Sequence, residues 1–391
     1  MSNFADLGVS SVFSGKLAEK SITVPTKIQR LVIPPFLEGK NIIFRSATGT
    51  GKTFAYLIPA LQQILSGSQD YKSGPQLLVC APTLELCSQI KNDIDFLLGG
   101  NLKAVLLSGS VNLNRQIDLL KAKPPAVVGN SGRLLMLADM GKLKLGSLNY
   151  LVLDEADRLI NADSRDDTAA LLQIITRQTG KMKAIAPVTA ACSATVSAQT
   201  GKILGDLFSD AVYLETNEQE ILREHIEHWA IFSESRKKTS TLISFLAAVK
   251  PKKVLVFCGR SFDAGKMVSV LQRHGTAAAG LYSGMDKKDR KAALDKFRSG
   301  RLKVLVSTDL AARGLDIEGI SHIAALDVSD NNEVYIHRAG RTGRAGKRGI
   351  MVSIGDETDM RRLSLLEKKL GIKIYPKELY GGRLEQPILP S

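Results

Sequence analysis

Two hydrophobic periodicities alternate along the 391 residues. Short, almost uninterrupted apolar runs rich in Val, Ile and Leu are separated by longer stretches whose apolar residues recur three and four positions apart. Runs of the first kind read as strands buried on both faces, and the stretches between them as amphipathic helices that cover those faces. In the first half the runs fall at 41–44, 77–81, 104–108, 126–128, 150–153 and 188–193. In the second half they fall at 228–232, 253–257, 277–282, 304–307, 322–326 and 349–354. Strand–helix–strand repetition predicts a mostly parallel sheet flanked by helices, and here it occurs twice. The fold class expected is therefore α/β with two tandem doubly wound domains. Segment 215–224 (ETNEQEILRE) is polar and carries no predicted strand. The organisation expected is a leading region over 1–30, a first domain over 31–215, a linker over 216–224 and a second domain over 225–391.

Composition narrows the class. A chain of this length exceeds what one hydrophobic core usually supports, in keeping with two domains. Hydrophobic residues at 44% and charged residues at 24% suit a water-soluble globular protein. No run of about 18 apolar residues occurs, and residues 1–10 lack a basic-then-apolar leader, so a location inside the cell, cytoplasmic or organellar, is expected without membrane association. Cys80, Cys87, Cys192 and Cys258 show neither CxxC nor Cys/His metal spacing and read as buried thiols. The formal charge of +14 points to a polyanionic partner. Residues 1–215 hold 22 Lys/Arg against 18 Asp/Glu, and residues 216–391 hold 31 against 21, so most of the surplus lies in the second half.

Chemistry enters with residues 46–53, SATGTGKT, placed directly after the run at 41–44 and before a helical stretch over 54–65. That is the context of a phosphate-binding loop. Ser46, Ala47, Thr48, Gly49, Thr50 and Gly51 would turn backbone N–H groups toward phosphate, Lys52 would add a point charge, and Thr53 would ligate Mg²⁺. About a hundred residues later the run at 150–153 ends in Asp154-Glu155-Ala156-Asp157. An acid at the carboxyl end of a strand beside such a loop holds the Mg²⁺ of a P-loop NTPase, here Asp154, and leaves Glu155 to orient or deprotonate a water.

The tetrad spells DEAD, and further motifs follow in order: Pro25-Thr26-Lys27-Ile28-Gln29, Ser193-Ala194-Thr195, STDLAARGLDI over 307–317 and YIHRAGRTGRAG over 335–346. The chain resembles the DEAD-box family of ATP-dependent RNA helicases over essentially its whole length. The resemblance implies two RecA-like domains of the P-loop NTPase kind, ATP and Mg²⁺ as substrate and cofactor, and RNA as partner. It implies that Gln29 reads the adenine edge, with Phe4 stacking on the base, and that Asp316 contacts the ribose or an arginine finger. Arg341 and Arg344 become arginine fingers toward the γ-phosphate. Asp157, Ser193, Thr195, His337 and Arg338 become coupling residues, with His337 and Arg338 tied to the tetrad. His337, Arg338, Arg341 and Arg344 read as the start of a helix.

For RNA, hydroxyls, glycines and arginines at strand ends are the candidates: Thr83, Gly132, Arg133, Arg290 and Thr308. Such groups grip phosphates without reading bases, so little sequence preference is expected, on single strands or short duplexes. Aromatic residues at 5% supply no obvious stacking platform. The departures from the family pattern fall among these loops: Leu84 for Arg, Asn130-Ser131 for Thr-Pro, Gly109-Ser110 for a double Gly, and Lys287 for Gln. The leading expectation is an RNA-dependent ATPase, monomeric, that locally separates short duplexes when ATP closes its two lobes on RNA. The second is an ATP-gated RNA clamp or scaffold, alone or with an activating protein in an RNA–protein complex.

Overall fold

The computed structural model describes every residue except 1–2, 47–48, 68–73, 101, 110, 161–163, 183–185, 194–197, 209, 217–221, 223, 260, 283, 313–316, 318, 330, 344–347 and 388–391. Residues Met1–Thr216 and Asn217–Ser391 form two compact units.

Seven strands make the sheet of the first unit: β1 (Ile42–Arg45), β2 (Leu77–Cys80), β3 (Val105–Leu107), β4 (Ala126–Gly129), β5 (Tyr150–Asp154), β6 (Val188–Ser193) and β7 (Val212–Glu215). Their order is β3-β4-β2-β5-β6-β1-β7, and every pairing is parallel. Alternation along each strand divides the core in two. Phe44, Val79 and Val152 pack with Phe36, Tyr56 and Ile90 on one face; Ile43, Leu78 and Leu151 pack with Leu134, Leu171 and Leu204 on the other. Each such large side chain contributes about 1.5–3 kcal/mol on burial. β7 lies at the sheet edge and is largely exposed, although Ala211-Val212-Tyr213-Leu214 is a short apolar run.

The sheet of the second unit comprises β8 (Ile226–Phe232), β9 (Val254–Phe257), β10 (Ala278–Leu281), β11 (Val304–Ser307), β12 (His322–Ala325), β13 (Gly349–Gly355), β14 (Ile374–Tyr380) and β15 (Arg383–Glu385). The order is β10-β11-β9-β12-β13-β8-β14-β15, parallel throughout except for the β14–β15 hairpin. Leu255, Leu305, Ile323 and Met351 face one layer of helices, and Val254, Val304, Ala324 and Val352 the other. The expected fold class therefore holds in both halves. Neither β14 nor β15 was marked by an apolar run, because both are edge strands with mixed burial.

All four cysteines are buried and free. Among the described residues no helix is long and apolar enough to cross a membrane, and no cluster of three or more His, Cys, Asp or Glu side chains is arranged for a metal.

Candidate functional site

Strand order alone assembles the chemistry of the first unit. β5, β6 and β1 are neighbours, so the tetrad, Ser193 and the phosphate loop, which follow those strands, emerge side by side at the carboxyl edge of the sheet. This is where open α/β sheets bind ligands.

The phosphate loop turns on two glycines with positive φ, Gly49 at 81° and Gly51 at 90°. Gly51 caps the helix Lys52–Ser66. Lys52 is almost buried and donates one of its hydrogens to the Ser46 carbonyl at 2.7 Å, which aims the ammonium back over the loop. Ala47 and Thr48 lie outside the described residues. Ser46, where the family usually has Gly or Ala, is fully buried and hydroxyl-bonded on both sides. Thr216 Oγ1 donates to Ser46 Oγ, and Ser46 Oγ to Thr50 Oγ1, each at 2.8 Å. The Ser46 amide donates to the Ser193 carbonyl at 3.1 Å.

Thr26 and Gln29 form a reciprocal cap on the helix Lys27–Leu37, with the Gln29 Oε1 accepting from the Thr26 amide at 2.9 Å. The Gln29 Nε2 donates to the Gly51 carbonyl at 3.1 Å. One amide hydrogen and one oxygen lone pair of Gln29 remain beyond these bonds. Phe4 corrects an expectation. At 3% exposure its ring belongs to the core with Leu17 and Phe36, so burial of the aromatic face leaves no surface for a base to stack on.

Asp154, 3% exposed, is held from three directions. Tyr56 Oη donates to Oδ2 at 2.8 Å, while the Cys192 thiol at 3.1 Å and the Glu155 amide at 2.8 Å donate to Oδ1. Burial, followed by the Asp154 charge, pushes the Tyr56 hydroxyl and the Cys192 thiol well above their ordinary pKa values, so both remain protonated donors. Neither residue belongs to a recognisable motif, and only the fold brings them to the carboxylate. Glu155 adopts the left-handed conformation at φ 50° and ψ 50°, which is costly for a side chain with a Cβ and is found at functional turns. Its Oε2 pairs with the Arg158 guanidinium at 2.7 Å. Oε1 has no partner among the described residues. Asp157 lies in the short helix Ala156–Leu159, Ser193 ends β6, and Thr195 lies outside the described residues.

The candidate RNA residues of the first unit follow β2 and β4, which are also neighbours. Thr83 caps the helix Leu84–Leu98 through its hydroxyl, which accepts from the Leu86 amide at 3.2 Å. A Cβ on Gly132 would stand 2.7 Å from the Asp167 carboxylate. Arg133 donates to the Val111 and Gly109 carbonyls at 3.3 Å each, so it braces the loop containing the Gly109-Ser110 departure.

In the second unit Thr308 follows β11 and Arg290 follows β10, again neighbouring strands. Arg290 donates to the Ala311 carbonyl at 3.1 Å. The basic motif departs from expectation: His337 and Arg338 stand in the last turn of the helix Asn332–Ala339 and Arg341 just beyond it, because Asn331 caps the Glu333 amide and starts the helix earlier. Arg338, expected to reach the tetrad, is taken up by its own unit. It binds Asp309 through two 2.7 Å bonds, the Asp327 carboxylate at 2.9 Å and the Asp327 carbonyl at 2.7 Å. Burial alone would lower its pKa, but the hydrogen bonds to Asp309 and the charges of Asp327 and Asp309 outweigh that and hold the guanidinium above its ordinary value. Arg341 is 5% exposed. Arg344 and Asp316 lie outside the described residues.

The family description DEAD/DEAH box helicase matches residues 26–203, and helicase conserved C-terminal domain matches residues 237–346. A curated relative, the DEAD-box ATP-dependent RNA helicase CshC of Bacillus cereus, is 33% identical over 358 residues, 91% of this chain and 88% of that protein. Among solved structures, Mss116p bound to single-stranded RNA and AMP-PNP is 25% identical and is matched over 97% of this chain and 80% of that one, with a TM-score of 0.83. Dbp5 of S. cerevisiae bound to RNA and ADP BeF3, 24% identical, shares the fold over 97% and 96% of the two chains with a TM-score of 0.81. With the motifs in order, the strand order that gathers them and a relative of this identity over nearly the whole chain, the protein belongs to the DEAD-box family of RNA helicases.

Proposed function

We propose that this chain is an RNA-dependent ATPase that binds single-stranded RNA on both units and separates short duplexes in cycles of ATP binding and hydrolysis. The observation that carries the reading is the Tyr56–Asp154 hydrogen bond of 2.8 Å. It locks the helix of the phosphate loop to the acidic tetrad, the relation that phosphoryl transfer to water demands. Lys52 and the loop amides hold the triphosphate. Gln29 uses its remaining N–H and lone pair on the adenine edge. Glu155 orients the attacking water, and Arg341 and Arg344 balance charge on the γ-phosphate, with Asp316 at the ribose or a finger.

The donor set fits Mg²⁺: Asp154 accepts three hydrogen bonds and keeps a lone-pair direction, and Thr53 opens the loop helix, so one carboxylate and one hydroxyl join the phosphates and waters that this ion prefers. When bound, Mg²⁺ neutralises charge on the β- and γ-phosphates. Thr83, Gly132, Arg133, Arg290 and Thr308 present RNA-phosphate contacts, in part by bracing loops. Asp157, Ser193, Thr195 and His337 pass RNA occupancy to the nucleotide.

The test is steady-state hydrolysis with and without single-stranded RNA across low and moderate salt. Stimulation by RNA and not by DNA, falling steeply with salt, is the expected result. Basal hydrolysis with no response to RNA would replace this reading with an ATP-gated clamp. A companion expectation concerns Gly51→Ala. The new Cβ would stand 2.5 Å from Gln29 Nε2 at a backbone φ of 90°, so loop and cap would have to part. Titration with a fluorescent ATP analogue should show affinity at least about tenfold weaker, roughly the 1.4 kcal/mol that left-handed strain alone costs; wild-type affinity would show that the loop has slack.

A further inference from the structure

The motif loops do not account for the basic surplus of the second unit. Much of it gathers on the opposite edge of the sheet. Segments 250–253 (KPKK), 272–277 (QRHGTA) and 298–303 (RSGRLK) lead into β9, β10 and β11, which are adjacent parallel strands in the order β10-β11-β9. Backbone bonds join the segments directly: Val254 N to Lys303 O at 2.8 Å, and Lys303 N to Ala277 O at 3.3 Å. Lys253 Nζ adds a bond to Arg298 O at 3.2 Å. Together the three segments carry Lys250, Lys252, Lys253, Arg273, Arg298, Arg301 and Lys303, and no acid.

All but Lys253 are exposed. Among the described residues Lys250, Lys252, Arg298, Arg301 and Lys303 make no ion pair. Lys250, Arg273 and Arg298 each close a helix, where a cation suits the dipole. Lys252, Arg301 and Lys303 have no such local reason, and like charges set this close repel one another. A cluster of unneutralised cations costs the free protein energy that an anionic partner returns.

Thr308 and Arg290 follow β11 and β10, whereas this rim precedes them, and strands of four residues set the two edges about 13 Å apart. The rim is therefore a separate surface. It presents no exposed Phe, Tyr or Trp ring, since Phe297 is fully buried and His274 is its one exposed ring, so it suits a phosphate backbone better than a base-stacking single strand. We infer that this rim binds the backbone of double-helical RNA flanking the strand engaged by the motif loops. The inference rests on the reading of the chain as an RNA-binding ATPase. Two strand spacings plus a long side chain at either side span roughly 20 Å, and a duplex offers twice the charge of a single strand over that length.

The test uses the full chain and two RNAs, a single-stranded tail and the same tail joined to a hairpin. In the variant Lys252→Gln, Arg298→Gln, Arg301→Gln, Lys303→Gln, affinity for the tailed hairpin should fall about tenfold or more. The slope of log affinity against log salt should become shallower by about 3.6, as four lost duplex-phosphate contacts require. Affinity for the tail alone, and hydrolysis at saturating tail, should stay at the wild-type level. Exchanging Lys for Arg and Arg for Lys at the same positions should keep hairpin affinity, since charge and not shape is the agent. Unchanged hairpin affinity overturns the inference, as does an equal loss on the tail alone. A loss of polyglutamate binding with hairpin binding intact also overturns it and assigns the rim to an acidic protein. Should wild-type hydrolysis ignore RNA, the proposed function fails, while the comparison of the two RNAs still reads the rim.

Discussion

Replacing Glu155 by Gln is expected to lower RNA-stimulated ATP hydrolysis by at least about a hundredfold, some 2.7 kcal/mol of barrier, while nucleotide affinity stays within about twofold. The change removes a proton acceptor and very little else. Asp154 is held by the backbone amide of residue 155 together with Tyr56 and Cys192, and a glutamine keeps that amide. The left-handed backbone at this position is equally demanding for either side chain. Loss of the ion pair to Arg158, which keeps 26% side-chain exposure, costs well under 1 kcal/mol. Rate and binding should therefore separate cleanly in single-turnover hydrolysis and equilibrium titration. A variant turning over within about threefold of wild type would move the water-orienting role to another residue; one that no longer bound nucleotide would make Glu155 a structural residue.

The second large effect belongs to Arg338. Arg338→Met should destabilise the second unit by about 3 kcal/mol, at the low end of the range for breaking a buried ion pair, because Asp309 and Asp327 keep 33% and 41% side-chain exposure and water takes over part of their solvation. At roughly 2–4 °C per kcal/mol for a domain of this size, the melting temperature should drop by about 6–12 °C. The chain's single tryptophan, Trp229, lies in β8 of that unit, so its fluorescence follows the relevant transition. Arg338→Lys should recover part of the loss, since an ammonium keeps the charge but not the planar fork that spans both carboxylates. A Trp229 transition within about 2 °C of wild type would show that the ion-pair cluster is replaceable by water.

What the sequence disclosed and what it hid divide along physical lines. Strands buried on both faces, such as Leu77–Cys80 and Val304–Ser307, announce themselves as apolar runs; the edge strands Ile374–Tyr380 and Arg383–Glu385 do not, since one side of each meets solvent. The phosphate loop and the tetrad are legible because contiguous residues perform their chemistry. Their supports are not, because Tyr56 lies 98 residues from Asp154 and Thr216 lies 170 from Ser46, and only the order of strands brings them together. Phe4 and Arg338 mislead for a related reason: a ring or a guanidinium carries no mark in one dimension of whether it faces a ligand or its own core.

Thr216 has a practical bearing on any attempt to study the first unit by itself. A boundary drawn from the polar stretch would fall at 215, after the last strand residue. The hydroxyl one position further is the outer link of the chain that runs through Ser46 to Thr50, and its amide also extends the pairing of β7 with a 3.1 Å bond to the Arg45 carbonyl. A fragment ending at 215 would retain every motif of the phosphate loop yet leave the Ser46 hydroxyl, fully buried, short of one hydrogen-bond donor. Nucleotide affinities taken on such a fragment would describe a loosened loop, and a cut several residues beyond Thr216 is the one that preserves the property being measured.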